Sequence, residues 1–160
     1  MVLPLYSRPC KGWRMNNWDR RWMDLASLVS TWSKDQSRKA GSVIVNERNV
    51  LVSLGWNGFP RGILDDVPSR HERPVKYLWT EHAERNAIFN AAAEGHPLKG
   101  CRLYVQMYPC ADCARAIIQS GIQEVISIAP NWNDSTYQKS YQVTGKMLSE
   151  AGVSVRFFSG

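Results

Sequence analysis

Apolar residues recur at intervals of three and four early in the chain: Trp22, Leu25, Ala26, Leu28, Val29 and Trp32. That spacing predicts an amphipathic helix over 19–34, with Asp19 as its cap and the stripe in the core. The pattern then breaks into a polar, basic link over 33–40, Ser-Lys-Asp-Gln-Ser-Arg-Lys-Ala. Two β-branched runs follow, over 42–47 and 50–56, and the polar Arg48-Asn49 between them predicts a hairpin. Residues 57–80 carry Gly58, Gly62 and scattered prolines without a period, which predicts a long loop. A structureless loop of more than about 15 residues in a compact domain is generally functional or mobile.

An alanine-rich helix is predicted over 81–94, ended by Gly95 and Pro97. A strand over 102–107 leads into a helix over 110–120, with Gly121 as its C-terminal cap. A strand over 124–129, a loop over 130–134, a helix over 135–151 stopped by Gly152 and a last strand over 153–158 complete the chain. The last three strands alternate with helices, so they should be parallel with right-handed crossovers, and the first two should form an antiparallel edge. The predicted fold class is therefore α/β, three layers α/β/α around a five-stranded mixed sheet. Residues 1–18, with Pro4, Pro9 and Gly12, read as an irregular arm that either packs on a neighbouring subunit or uses Trp13 and Trp18 to cover a core edge, the commoner role of such tryptophans. Residues 19–160 read as one domain.

Composition narrows the class. A 160-residue chain with 44% hydrophobic and 21% charged residues predicts one soluble globular domain. No apolar run approaches about 20 residues, so no membrane span is expected, and residues 1–10 lack the apolar core of a secretory signal. Four cysteines, two of them in a metal-like motif, point to a reducing cytoplasm and not to a disulfide framework. The net charge of +6 suits anionic partners such as nucleotides, RNA or polyphosphate, although its dispersed cations read equally well as solubility charge.

Two short stretches carry the chemistry: His82-Ala83-Glu84 and Pro109-Cys110-Ala111-Asp112-Cys113. Cysteines three apart on a helix stand about 60° from one another, near enough to grip one ion. Pro109 suits a helix start, where the dipole and free N–H groups stabilise a Cys110 thiolate. Residues two apart in mid-helix point nearly opposite ways, so His82 and Glu84 can share a site only if His82 opens its helix. Three protein ligands would leave a catalytic corner for water, whereas a fourth would close a structural site. Cys101 should lie roughly 20 Å away along its strand. His96 follows the far end of its helix, while Cys10 and His71 sit on segments that spacing does not place. A Cys-x-x-Cys pair alone also suits a redox dithiol; the upstream His-x-Glu favours metal.

With these motifs the chain resembles the zinc-dependent cytidine deaminase superfamily, whose known signature pairs these two stretches. Within it the deoxycytidylate (dCMP) deaminase branch is suggested by 55–62 (Gly-Trp-Asn-Gly-Phe-Pro-Arg-Gly), 82–88 and 121–126. The likeness runs from about residue 19 to 158. It implies a cytidine deaminase-like fold and hydrolysis of a cytosine nucleotide, dCMP to dUMP plus ammonia. It also implies Zn²⁺ on His82, Cys110 and Cys113, with Glu84 carrying protons. Asn57 is the implied sugar and base contact, and Ser42, Ala83, Tyr108, Pro109 and Trp132 are further candidate substrate residues. The 5′-phosphate needs cationic or N–H donors, for which Ser33, Arg38 and Lys39 of the basic link, Arg61, and the loop over 131–133 with Tyr137 are candidates. Tyr108 either lines the pocket or packs in the core, and Trp79 and Phe89 are expected to pack. Possession of Glu84, which is no ligand, argues against a silent zinc module.

The resemblance further implies a homo-oligomer, hexamer or dimer, switched by dCTP and dTTP effectors at Asn57, Gly58, Phe59, Arg61, Asp65 and Asp66. Two positions depart from the branch pattern: Glu81 where relatives carry a neutral residue, and Ser42 where many carry alanine. An extra carboxylate would favour a base with more donors, a modified cytosine or a purine. An RNA adenosine deaminase is the same-fold alternative; Asp112 in place of a usual methionine argues against it, and nucleic acid is not the expected partner.

Overall fold

The computed structural model describes residues 17–159. The arm expected over 1–18 thus lies outside the described residues except at its end, where Asn17 and Trp18 already belong to a helix. Five strands, β1 (Gly41–Val45), β2 (Leu51–Trp56), β3 (Arg102–Val105), β4 (Glu124–Ser127) and β5 (Ser154–Phe157), form one sheet in the order β2-β1-β3-β4-β5. β1 is antiparallel to both β2 and β3, and β3, β4 and β5 are parallel. The helices are α1 (Asn17–Ser30), α2 (Lys76–Trp79), α3 (Ala83–Ala93), α4 (Ala111–Gln119) and α5 (Gln138–Glu150).

Strand side chains alternate between two cores, as a period of two requires. Ile44, Leu103, Val105 and Val125 face a cluster with Ala87, Ala114, Ile117 and Leu148 of α3, α4 and α5. Val43, Val45, Tyr104 and Ile126 face Met23 and Ala26 of α1 on the other side. The expected three layers are therefore present. β1 is buried at all five positions, so the expected antiparallel edge is formed by β2 alone.

The first helix departs from its reading. It ends at Ser30, and 31–33 continue in turns, Trp32 N–H bonding to Val29 O at 3.0 Å. Leu28 and Trp32 of the expected core stripe are 56% and 48% exposed. Leu28 stands about 200° round from Ala26 and so faces outward. Trp32 lies beyond the helix, its ring edge-on to Trp56 at 5.2 Å. Asp19 is no cap: it sits inside the first turn, buried, accepting from the Tyr104 hydroxyl at 2.7 Å and from Arg156 Nη1 at 2.7 Å. Arg156 also binds Glu124 at 2.6 Å, so one guanidinium joins α1 to β4 and β5. Phe89, expected to pack, is 48% exposed.

The stretch over 57–80 is not structureless. Its ends close through Gly58 and Glu81, which exchange two backbone hydrogen bonds of 3.1 and 2.8 Å, and it contains a 3-10 turn at Pro68–Arg70 and the short α2. Such closed surface excursions are compact. Just before it, Gly55 lets α3 lie directly on β2: a Cβ there would stand 2.4 Å from Ala87 N and 2.5 Å from Ala83 O.

Candidate metal centre and active site

His82 is the N-cap of α3, with extended φ −78 and ψ 156, and Glu84 lies in the first turn. Cys110 is likewise the N-cap of α4, at φ −74 and ψ 171, with Cys113 one turn on. His82 thus opens its helix, as its spacing to Glu84 demands. The free Ala111 N–H at the start of α4 donates to Ser140 Oγ of α5 at 2.8 Å, which fixes the helix end against its neighbour.

The two helix starts meet. His82 Nδ1 lies 3.5 Å from Cys110 Sγ and 3.5 Å from Cys113 Sγ, and all three donors fall within 4.8 Å of one another. A tetrahedral zinc ion with Zn–N of about 2.0 Å and Zn–S of about 2.3 Å needs N and S about 3.5 Å apart, so the donor set fits. Among the described residues no fourth ligand joins the group. Cys101 is buried near Pro97 O at 3.9 Å, His71 stacks on Phe59 at 4.7 Å and His96 is exposed; Cys10 lies outside the described residues.

With only protons on the donors, the charges are already ordered. The hydrogen bond from Cys113, then that from His82, holds the Cys110 thiol down to about 4. The Cys110 contact, with the Glu84 charge adding to it, raises His82 to about 9. Its bond to Cys110 and its burial push the Cys113 thiol well up. Glu84 is 6% exposed, and burial pushes its carboxyl up. A carboxyl that keeps its proton longer than usual, beside a metal group, suits proton transfer.

The expected substrate residues divide. Ser42 is wholly buried and donates to the Ala83 carbonyl at 2.8 Å, so neither lines an open pocket. Ser33 is buried too; its hydroxyl donates to Asn57 O at 2.7 Å and accepts from Asp35 N. Asn57 clips the link 33–40, Oδ1 accepting from Ala40 N and Nδ2 donating to Arg38 O, both at 2.8 Å. One N–H and one lone pair of its amide remain for a ligand. Tyr108 and Pro109 are buried, Tyr108 among Tyr141, Trp132 and Phe157 at 5.5 to 6.0 Å between rings. Arg38 and Lys39 are exposed, and Arg38 lies over the Tyr137 ring at 5.6 Å.

The expected effector residues have the following partners. Gly58 pairs with Glu81, Phe59 stacks on His71, and Arg61 bonds Asn90 Oδ1 at 2.8 Å. Only Asp65 and Asp66 of that set line the cleft of about 440 Å³ beside Lys34, Gln36, His71 and Glu72, and Asp65 pairs with Lys34 at 2.8 Å. Glu81 binds Arg85 Nε at 2.7 Å, so the extra carboxylate is already matched by a cation. Sequence reasoning missed the pair Asp35–Lys76, whose charges meet at 2.7 Å; Lys76 carries no periodic or motif signal.

Two thiol donors and one imidazole at converging helix starts, under a three-layer sheet and next to a buried carboxyl, define the class: a zinc-dependent hydrolytic deaminase. The chain belongs to the family described as "Cytidine and deoxycytidylate deaminase zinc-binding region", which it matches over residues 16–129. It is 38% identical over 146 residues to the Homo sapiens "Deoxycytidylate deaminase", covering 88% of this chain and 79% of that one. It is 41% identical over 144 residues to "Uncharacterized deaminase in luxG 3'region" of Aliivibrio fischeri, covering 88% and 93%. Among solved structures, the dCMP deaminase of cyanophage S-TIM5 superposes with a TM-score of 0.69 at 26% identity, covering 88% of this chain and 96% of that one. That enzyme has also been solved in complex with dCMP and dUMP. Among the described residues no helix is long and apolar enough to cross a membrane.

Proposed function

We propose that this chain hydrolyses dCMP to dUMP and ammonia. The observation that carries the reading is the three-donor cluster with Glu84 beside it, in a chain 38% identical to a deoxycytidylate deaminase. His82, Cys110 and Cys113 would hold the zinc, which would supply a water activated near neutral pH. Glu84 would take a proton from the attacking water, deliver it to ring N3, and carry a second proton to the amine that leaves C4 as ammonia. The α4 N-terminus at Cys110 draws charge off the sulfur and offsets the two thiolates. The remaining amide capacity of Asn57 serves sugar and base, and exposed Arg38 and Lys39 serve the phosphate.

Cytoplasmic location, dCTP and dTTP response and a homo-oligomer complete the proposal.

Ammonia release from CMP, dCMP, 5-methyl-dCMP, dCTP, dAMP and dGMP, with and without dCTP and dTTP, tests the reading. dCMP should give the highest kcat/KM; preference for a purine nucleotide overturns it. Glu84→Gln should keep stoichiometric zinc by elemental analysis and lose about 10²–10⁴-fold in kcat. Full turnover in that variant removes Glu84 from the mechanism.

A further inference from the structure

We propose that the Asp35–Lys76 ion pair is a positioning pair for the nucleotide 5′-phosphate, holding Arg38 and Arg73 at one mouth of the site. The inference rests on the dCMP reading above.

Asp35 belongs to the link 33–40 and Lys76 to α2, inside the 57–80 excursion. Both side chains are largely buried, 11% and 9% exposed, and the ammonium reaches both carboxylate oxygens at 3.0 and 2.7 Å. It also donates to Ser37 Oγ at 2.5 Å. Asp35 Oδ1 accepts in addition from Ser37 N at 2.8 Å and Arg38 N at 3.1 Å, so the carboxylate sets the turn from which Arg38 projects. From the other side Asn57 holds the Arg38 carbonyl at 2.8 Å. The backbone of Arg38 is therefore gripped at N–H and at C=O, while its side chain is exposed.

The pair also brings the two arginines into one neighbourhood. Arg73 stands three residues before Lys76 and lines, with Asp35, Ser37 and His71, a cleft of about 300 Å³. Arg38 lies over Tyr137, the N-cap of α5, at 5.6 Å. Burial pushes the Tyr137 phenol up, the charges of Arg38 and Arg73 pull it back, and Cys110 of the metal group acts on it too. Tyr137 opens α5, whose first-turn Ser140 accepts from the Ala111 N–H beside Cys110 at 2.8 Å, so the Arg38 guanidinium stands at the helix start that borders the metal donors. A nucleotide whose base faces Glu84 would carry its phosphate there, where guanidinium forks suit phosphate oxygens.

A buried ion pair is not needed for stability alone, since an apolar pair of similar volume often serves as well. Its position across the mouth gives it a task. The double variant Asp35→Asn, Lys76→Met removes both charges and leaves neither buried alone. It should raise KM for dCMP about tenfold with kcat within about twofold, and leave kcat/KM for phosphate-free deoxycytidine unchanged. Arg73→Gln, at an exposed position, should give the same split and does not depend on the double variant folding. Equal loss on both substrates, or an unchanged KM for dCMP in Arg73→Gln, overturns the inference while the dCMP reading stands. A wild type inert toward dCMP overturns both.

Discussion

Ser42 Oγ donates to the Ala83 carbonyl at 2.8 Å, joining the buried strand β1 to the first residue of α3. The bond seats the helix start that carries His82 and Glu84. In Ser42→Ala that carbonyl keeps its helical partner one turn on. The cost should be about 1 kcal/mol by urea unfolding, the usual net value of one buried hydrogen bond. Base selectivity should not change, because the hydroxyl faces a carbonyl and not the pocket; a switch in preference between cytosine and purine nucleotides contradicts that placement.

Gly55 sets the distance between α3 and β2. In Gly55→Ala the new Cβ would meet Ala87 N at 2.4 Å and Ala83 O at 2.5 Å, both backbone atoms that can yield only by moving the helix. Overpacking of this kind costs about 1–3 kcal/mol. His82 and Glu84 would move with α3, so bound zinc per chain and kcat should fall together. Elemental analysis beside a rate measurement reads both, and full zinc with unaltered kcat would show that α3 tolerates the shift.

Asp19 is the buried partner of two groups at once. Asp19→Ala leaves the Tyr104 hydroxyl without its acceptor and Arg156 with Glu124 alone. Loss of one member of a buried charged network should cost about 3 kcal/mol. The network lies on the α1 side of the sheet, away from the donor cluster. Denaturant midpoints should therefore drop sharply while kcat of the folded enzyme holds.

Burial would raise the Asp35 carboxyl, but Lys76, Ser37 and the Arg38 N–H outweigh it and hold the group down to about 2, against 3.8 for the unfolded chain. A carboxyl depressed in the folded state stabilises fully above the unfolded value, and that contribution is lost as pH falls from about 4 to about 2. With solvent screening the loss should be about 1–2 kcal/mol. The stability difference between wild type and Asp35→Asn, followed from pH 5 to pH 2, should shrink across that window; a constant difference would mean the carboxylate gains nothing from Lys76.

The element order was readable because strand and helix periods, Gly95, Gly121 and Gly152 are local signals. Each of those glycines has positive φ, at 72, 81 and 73. The donor chemistry was readable for a similar reason: Cys110 and Cys113 are spaced to share one helix face, and the spacing of His82 to Glu84 fits one site only at a helix start. A distant partner left no such mark: Asp19 reads as a helix cap, and the fold turns it to Tyr104 and Arg156 instead. Ser33 and Ser42 carry hydroxyls that suit a ligand, and only packing shows them already bonded to Asn57 and Ala83.

Residue types and local spacing alone determined a five-stranded α/β chain with a histidine, two thiols and a spare carboxyl at two helix starts. The tertiary structure alone decided that those starts converge to 3.5 Å, that Asp19 turns inward to a guanidinium 137 positions away, and that Lys76 meets Asp35 across 41. Local backbone preference acts over a few residues and leaves its mark in the pattern. A buried charge or hydroxyl finds its partner wherever the fold brings one, and nothing in the pattern around it records which partner that is.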